Sequence, residues 1–320
     1  MSVNNVPGGQ RRGGVIIGWG TALPDKIVTN TDLQATMDTT HDWIVERTGI
    51  HERRVGGTTT GLAVESGRMA IERAGVDPST IDQIIVSTTS PDQHVPAVAP
   101  VVQHQLGLTC GAFDLNAACS GFVYGLVVAH GLIAIGAKRL LLIGSETLTR
   151  YVDWTDRGTG ILFADGAGAV VIDAVEGPGS LLGWDLQSVG SFAPILYVDI
   201  GSTFQMEGKE VFRQAVRIMV DSANKAMTQA GVTADQIKLI VPHQANIRII
   251  ESACAKLGIG IDKVSSVLAH TGNTSSASIP LALAKALDAD RVQDGDLVLL
   301  VGFGAGMTAA SAILRWGAGS

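Results

Sequence analysis

The sequence predicts an α/β fold made of two duplicated βα halves, and two observations support this prediction. Short runs rich in Val, Ile and Leu alternate with amphipathic helical segments such as 61–74 and 211–230. This alternation is typical of mainly parallel sheets with crossover helices. The segment AGVDPSTIDQIIV at 74–86 also returns as AGVTADQIKLIV at 230–241, which indicates an internal repeat.

The offset of the repeat recurs elsewhere and predicts a boundary between the halves. KRLLLIG at 138–144 is echoed by GDLVLLVG at 295–302, and a turn around Cys119 falls opposite a turn at 272–274. A stretch containing Gly and Pro at 176–179 separates the two copies. We therefore expect an N-terminal half over residues 1–178 and a C-terminal half over residues 179–320.

Composition excludes several classes of protein. The chain has 320 residues, 46% hydrophobic and 17% charged, enough for a large core. Its three cysteines, at 110, 119 and 254, form no CxxC pair, which disfavours a disulfide scaffold or a zinc site and fits a cytoplasmic protein. A net charge of −7 without a basic stripe argues against nucleic-acid binding. Residues 1–14 lack the apolar core of a signal peptide and are interpreted as a frayed tail.

One apolar stretch resembles a membrane span in length. Residues 115–137 contain no Asp, Glu, Lys or Arg. They include Asn116, Ser120, His130 and several glycines, and helix signals begin only near Cys119, which leaves too little helix to cross a bilayer. We predict a buried helix and no membrane association.

A candidate nucleophile lies where a strand-like run meets this apolar helix. The segment DLNAACSGF at 114–122 places Cys119 at that turn. A helix N-terminus offers unpaired N–H groups and partial positive charge, which favour the thiolate and can bind a developing oxyanion. The alternative is an inert cysteine that packs as a small hydrophobe.

Two further polar loops follow apolar, strand-like runs and end in residues suited to catalysis. One is IKLIVPHQAN at 237–246, with His243, and the other is VSSVLAHTGNTSSA at 264–277, with Asn273. Each residue alone has a structural explanation, as a cap at a strand end or a turn residue. Ligands collect at the carboxyl ends of strands in α/β sheets, so a Cys, a His and an Asn on such loops indicate thioester chemistry.

The segments around Cys119, His243–Asn246 and Gly272–Ser275 resemble β-ketoacyl-acyl carrier protein synthase III, a condensing enzyme of the thiolase superfamily. The resemblance covers nearly the whole chain. It implies a five-layered αβαβα thiolase-like fold in which catalytic loops from both halves meet across a pseudo-twofold axis. It also implies an acyltransferase that needs no metal or other cofactor and initiates fatty acid or related polyketide synthesis.

The resemblance assigns chemical roles to these residues. Cys119 accepts a starter acyl group from acyl-CoA, and the acyl-enzyme then condenses with malonyl-acyl carrier protein as CO2 leaves. Backbone N–H groups of Cys119 and Ala305 form the oxyanion hole, the latter within the glycine-rich run 302–306. His243 Nε2 and the Asn273 amide stabilise the enolate. A dinucleotide loop is disfavoured at 302–306, because no further helix and strand follow before residue 320.

The resemblance also implies binding residues. Trp43, Arg47 and Arg157 match positions that hold coenzyme A, where an indole and a guanidinium can sandwich an adenine and another guanidinium can pair with phosphate. Asn246 and Gly208 match positions along the pantetheine tunnel. Each of these residues also has a structural alternative. Trp43 could serve ordinary packing, the two arginines could be solvated surface charges, Asn246 could lie between helices, and Gly208 could form a turn.

Partner contacts complete the expectations. Carrier proteins are acidic, and Arg213, Arg248 and Lys256 follow the family's docking positions, although solvated helix faces would explain them equally. Val95 matches a loop residue that reaches into the partner subunit's acyl pocket, which implies a homodimer. A medium-sized Val, and a stretch at 186–206 that looks short for the family, leave acetyl, branched and longer starters open.

Three other functions are weaker fits. A thiolase-fold acyltransferase that moves an acyl group to a hydroxyl or amine often lacks the Asn, which is present here. An inert carrier-binding subunit would dispense with the nucleophile. A biosynthetic thiolase would carry a second catalytic cysteine where this chain has GAG at 304–306.

Overall fold

The structure is a computed structural model and describes residues 12–317. Its α-helices are α1 (Asn30–Leu33), α2 (His41–Thr48), α3 (Thr59–Ala74), α4 (Val98–Gln105), α5 (Gly121–Ala134), α6 (Gly208–Ala230), α7 (Ile247–Leu257), α8 (Leu268–Thr271) and α9 (Ser278–Asp288). Its strands are β1 (Arg12–Ala22), β2 (Ile27–Thr29), β3 (Glu52–Arg54), β4 (Gln83–Ser87), β5 (Gly111–Leu115), β6 (Arg139–Thr147), β7 (Asp165–Glu176), β8 (Leu181–Ser188), β9 (Leu196–Tyr197), β10 (Gln205–Met206), β11 (Ile237–Pro242), β12 (Leu297–Gly304) and β13 (Thr308–Arg315).

The two larger sheets have four strands each in a corresponding order, and the first sheet carries a fifth strand at one edge. The first has the order β1-β7-β6-β4-β5 and the second β8-β13-β12-β11. The repeated segments occupy matching places, because β4 and β11 derive from one repeat and β6 and β12 from the other. This correspondence is what duplicated halves would produce, and the predicted α/β class is confirmed.

The prediction of mainly parallel sheets is wrong. β4 is parallel to β5 and β6, and β11 is parallel to β12, but β6–β7, β1–β7, β12–β13 and β13–β8 are antiparallel. The reason is the length and content of the connections. Only Ala305–Met307 joins β12 to β13, which is too short for the crossover that a parallel pair requires.

Five layers follow from which elements pack together. Helices α3 and α4 cover the outer face of the first sheet, and α6 and α7 lie on the outer side of the second sheet. The central layer contains α5 and α9, each of which contacts strands of both sheets. Apolar side chains on α5, α9 and the facing strands form one continuous core between the sheets. Two small hairpins, β2–β3 and β9–β10, lie outside this arrangement.

Capping explains where the main helices begin and end. The Thr58 side chain accepts a hydrogen bond from Gly61 N at the start of α3, and the Asn246 side chain accepts one from Arg248 N at the start of α7. Helices α3 and α6 end at the glycines of the repeated Ala-Gly-Val segments, Gly75 and Gly231, which adopt the left-handed conformation.

Two helices, one strand-like run and the predicted tail differ from the observed elements. Both predicted helices begin earlier, at 59 and 208 rather than 61 and 211. The run at 264–270 is not a strand: Val264 forms one isolated bridge with Ile240, and α8 begins four residues later. Residues 12–14 of the predicted tail belong to β1, and residues 1–11 lie outside the described part. Across residues 12–317, none of the helices combines the length and apolar character needed to cross a membrane.

Candidate active site

Cys119 lies on a sharp turn between the first sheet and the central layer. It occupies the 3₁₀ turn Ala118–Ser120, between β5 and α5. The preceding Ala118 has φ +49°, a left-handed conformation that is costly for a residue with a Cβ and that clusters at functional sites. The loop after β12 approaches this turn closely, because a Cβ added to Gly304 would lie 2.5 Å from the Cys119 backbone nitrogen. The glycine-rich run therefore brings backbone to the thiol.

Two cavities meet at Cys119. One has a volume of about 530 Å³ and also reaches His243 and Asn273. The other has a volume of about 770 Å³ and is also lined by Leu148, Phe204 and Ser275. Cys119 lines both. A thioester carbonyl at this position would direct its leaving group into one cavity and its acyl group into the other.

The ionisation state of Cys119 differs from the sequence-based expectation of a favoured thiolate. The residue is partly exposed, because it lines two cavities, yet burial raises the pKa of its thiol to about 12. A hydrogen bond with the Ser275 side chain opposes this shift, and Glu146 would add to it when ionised. Loss of water around the thiolate outweighs the favourable helix N-terminus. Burial therefore favours the neutral thiol in the substrate-free protein.

His243 follows β11 directly and is held by α9. Its Nδ1 lies 2.7 Å from Ser278 Oγ, which also accepts a hydrogen bond from Gln244 N at 3.2 Å. With one acceptor position of the hydroxyl used by Gln244, its hydrogen is available for Nδ1. Burial lowers the pKa of His243 to about 3, so the ring is neutral. A neutral ring that accepts at Nδ1 carries its hydrogen on Nε2 and can donate from there.

Asn273 presents its amide from the loop after α8. Its backbone is fixed by Asn273 N to Leu162 O and by Ala164 N to Asn273 O, both 2.9 Å. Its Oδ1 accepts a hydrogen bond from Ser275 N at 2.9 Å. Because the oxygen is used in this way, the Nδ2 group is the end that can donate to a ligand. Asn273 lines the same cavity as Cys119 and His243.

The predicted oxyanion donors lie on adjoining loops. Ala305 begins the 3₁₀ turn after β12 and lines the second cavity beside Cys119. Thr308 Oγ1 links the same loop to the nucleophile turn, at 3.0 Å from Ala117 O and 2.7 Å from Ser120 Oγ.

The outer part of the first cavity is basic and contains the predicted coenzyme A residues. Arg47 Cζ lies 4.6 Å and Arg157 Cζ 4.7 Å from the centre of the Trp43 ring. Arg157 Nη1 also donates to Asp38 O at 3.0 Å. In this arrangement Arg157 stacks directly on the indole, so an adenine placed between them would have to displace the guanidinium.

The remaining predicted residues fall into two groups. Gly208, Asn246 and Arg248 line the first cavity, and Asn246 Nδ2 donates to Arg47 O at 2.9 Å. Arg213, Lys256 and Val95 do not line either cavity.

Those three side chains are displayed on the surface instead. Arg213 lies on α6 and pairs with Glu210 at 2.7 Å, while Lys256 is exposed in the last turn of α7. Val95 is 84% exposed.

Sequence reasoning missed several residues of the site. Lys209 and Phe212 line the first cavity, and a basic residue beside Gly208 was the available signal. Ser278 lies in the serine-rich run after Asn273, but its contact with His243 could not be read from spacing. Glu146 has no comparable sequence signal. Within residues 12–317 no group of three or more His, Cys, Asp or Glu side chains could hold a metal ion.

Fold and site together define a thiolase-like condensing enzyme. The sequence matches 3-oxoacyl-[acyl-carrier-protein] synthase III at residues 113–190 and the C-terminal part of the same family at residues 227–316. It is 45% identical over 307 residues to beta-ketoacyl-[acyl-carrier-protein] synthase III 1 of Bacillus anthracis, covering 94% of this chain and 98% of that protein.

Solved structures agree. 3-oxoacyl-[acyl-carrier-protein] synthase III from Aquifex aeolicus VF5 has a TM-score of 0.93 and 41% identity, covering 95% of this chain and 100% of that one. The priming beta-ketosynthase from the R1128 polyketide pathway has a TM-score of 0.91 and 35% identity, covering 98% and 99%. The chain belongs to the 3-oxoacyl-[acyl-carrier-protein] synthase III family, also called β-ketoacyl-acyl carrier protein synthase III, and is an acyltransferase of the condensing type.

Proposed function

We propose that this enzyme transfers a starter acyl group from acyl-CoA to Cys119 and condenses it with malonyl-acyl carrier protein, giving β-ketoacyl-acyl carrier protein, CoA and CO2. The reaction would initiate fatty acid or related polyketide synthesis. One observation carries the proposal: Cys119, His243 and Asn273 line one cavity, with the neutral His243 ring held at Nδ1 by Ser278 and the Asn273 amide held at Oδ1 by Ser275.

In the first half-reaction the Cys119 sulfur attacks the thioester carbonyl of acyl-CoA. The backbone N–H groups of Cys119 and Ala305 would bind the oxyanion of the tetrahedral intermediate. The C–S bond to CoA then breaks, and the thiol proton of the enzyme ends on the CoA thiol, so no proton is gained or lost overall. A neutral resting thiol is compatible with this balance.

In the second half-reaction CO2 leaves the malonyl group and its electron pair forms an enolate. The enolate oxygen carries the negative charge, and His243 Nε2–H with Asn273 Nδ2–H would stabilise it. The enolate carbon attacks the Cys119 thioester, and collapse of the intermediate releases the cysteine thiolate, which takes a proton from water. These steps require no metal or other cofactor.

The basic end of the first cavity supports the choice of a nucleotide thioester. Trp43, Arg47 and Arg157 would hold the adenine and phosphates, while Gly208 and Asn246 would flank the pantetheine arm.

The carrier protein would dock on the surface beside the mouth of this cavity. Arg213, Arg248 and Lys256 lie on the neighbouring helices α6 and α7 and offer positive charge to an acidic carrier.

The second cavity is the place that suits the acyl chain. Its wall includes the apolar side chains of Leu148, Phe163, Leu196 and Phe204, with Phe163 and Phe204 stacked at 3.9 Å between ring centres. The starter could be acetyl, branched or longer.

We also propose that the enzyme is a homodimer and that the chain divides into halves at residues 1–178 and 179–320. Strand β5 lies at the edge of the first sheet and Phe113 on it is 37% exposed, which is a surface suited to pairing with a second copy. Val95 projects from the same half and would enter the partner's acyl pocket. The three free thiols fit a reducing cytoplasm.

A mass spectrum of the carrier protein tests the reaction. The enzyme is incubated with malonyl-acyl carrier protein and a mixture of acyl-CoAs of different lengths and branching. A β-ketoacyl product would support condensation, and its mass would identify the starter. Unconverted malonyl-acyl carrier protein beside acylated Cys119 would instead favour the alternative, transfer of the acyl group to a hydroxyl or amine.

A further inference from the structure

A buried carboxyl group that the proposed mechanism does not use lies behind the active site. Glu146, near the end of β6, has no solvent exposure. Its Oε2 accepts hydrogen bonds from Thr88 Oγ1 at 3.2 Å, Thr89 N at 3.0 Å, Thr89 Oγ1 at 3.1 Å and Ser90 Oγ at 2.5 Å. All of these donors belong to the segment that follows β4.

Ser276 lies between the other carboxyl oxygen of Glu146 and a backbone carbonyl. Ser276 Oγ lies 2.8 Å from Glu146 Oε1 and also 2.8 Å from Ser87 O. A serine hydroxyl has one hydrogen, and a backbone carbonyl can only accept. If the hydroxyl donates to Ser87 O, the contact with Glu146 Oε1 requires a hydrogen from the carboxyl group. The geometry is satisfied when Glu146 is a neutral acid.

The electrostatic surroundings agree with a neutral Glu146. Its hydrogen-bond partners, in the segment after β4 and in the turn before α9, are hydroxyl and backbone amide groups. Within residues 12–317 no Lys, Arg or His side chain forms an ion pair with it. The titratable neighbour is the Cys119 thiol, itself neutral, whose pKa the Glu146 charge would raise. Burial raises the pKa of the Glu146 carboxyl, and the hydroxyl and amide donors oppose this.

Ser276 connects Glu146 to the Asn273 amide. Ser275, which directly precedes Ser276, has φ +48°, and a residue with a Cβ persists in this conformation only when its surroundings hold it. Ser275 N is the donor that fixes Asn273 Oδ1 at 2.9 Å. Anchoring Ser276 to Glu146 and Ser87 therefore fixes the turn that aims the Asn273 amide.

We propose that Glu146 is a positioning residue that acts as a neutral carboxylic acid, donating to Ser276 Oγ and thereby holding the Ser275 turn that orients Asn273. The proposal rests on the condensation proposed above. A neutral group is needed here because an ionised carboxylate would oppose both a Cys119 thiolate and the enolate charge.

Three variants test this role through the two half-reactions. In Glu146→Gln the amide oxygen can accept hydrogen bonds from the segment that follows β4, and the amide N–H can donate to Ser276. This variant therefore reproduces the hydrogen bonds of the neutral acid. We expect it to restore most of the condensation that Glu146→Leu loses. Ser276→Ala removes only the connection, and we expect condensation to fall about tenfold or more while Cys119 acylation changes little, because one orienting hydrogen bond is lost.

A measurement independent of activity tests the proton directly. In the unfolded chain the Glu146 carboxyl ionises near its ordinary pKa of 4.5, whereas the folded protein keeps it protonated. Folding then takes up a proton, so this group's contribution to stability is lost as the pH rises above 4.5. We expect the Tm of Glu146→Gln relative to wild type to increase from pH 5 to pH 8.

The outcomes separate this inference from the proposed function. Loss of condensation in Glu146→Gln, together with a Tm difference that is flat or falls with pH, would overturn the neutral-acid role. Equal loss of acylation and condensation in Ser276→Ala would overturn the connection to Asn273. If wild-type enzyme made no β-ketoacyl product, the proposed function would fail, while the Tm comparison would still decide the protonation of Glu146.

Discussion

The Asn273→Ala variant separates the two half-reactions. The Asn273 Oδ1 is engaged by Ser275 N at 2.9 Å, which leaves Nδ2–H for the enolate oxygen. Removing one donor aimed at developing negative charge costs ~3 kcal/mol or about 10²–10³ in rate. We therefore expect condensation to fall by about 10²–10³-fold, whereas Cys119 acylation by acyl-CoA changes by less than about threefold, because no enolate forms in that step.

The same variant should lose stability for a separate reason. Ser275 is 2% exposed, and its N–H loses its acceptor when Asn273 is truncated, which costs ~1–3 kcal/mol. Asn224→Ala, at an exposed position of α6, is the matched control and should change neither half-reaction. Rapid-quench assays of each half-reaction are run below the Tm of all variants. Equal losses in acylation and condensation would refute the assigned division of roles.

Three further predictions follow from the site. Ser278→Ala should lower the condensation rate about tenfold, because the hydrogen bond to His243 Nδ1 is lost. ¹⁵N NMR of this variant should show a mixture of His243 tautomers, and retention of the Nε2–H tautomer alone would contradict the prediction. With a thiol pKa of about 12, the rate of Cys119 alkylation by iodoacetamide should rise about tenfold per pH unit from pH 6 to 9. A plateau of the rate in that range would show that the helix N-terminus stabilises the thiolate more than burial disfavours it. Trp43→Ala should raise KM for acyl-CoA with little change in kcat, and leave KM for an acyl-pantetheine unchanged; a similar increase for both substrates would exclude adenine stacking.

The sequence predicted the fold where local pattern decides it. Alternating elements and the repeat at 74–86 and 230–241 indicated two similar sheets, and these are present. Strand direction was mispredicted because it depends on connection length, as the three-residue link after β12 shows. The run at 264–270 was apolar enough for a strand but makes only one bridge.

The site was predicted as far as motifs mark it. Cys119, His243 and Asn273 lie at element ends that the sequence locates, and the structure brings them to one cavity. The Glu146–Ser276 contact joins residues 130 positions apart, which no spacing rule connects. The high pKa of the Cys119 thiol likewise arises from burial by both halves of the chain.

Intact mass spectrometry of the enzyme and the carrier protein in one time-resolved reaction tests the central claim most directly. Acyl-CoA and malonyl-acyl carrier protein are mixed with wild-type enzyme and with Cys119→Ala, and samples are quenched at successive times. We predict an acyl adduct on Cys119 that forms first and decays as β-ketoacyl-acyl carrier protein appears, with neither species in Cys119→Ala. Product formed by Cys119→Ala, or a wild-type adduct that persists beside malonyl-acyl carrier protein, would contradict a condensation that proceeds through Cys119.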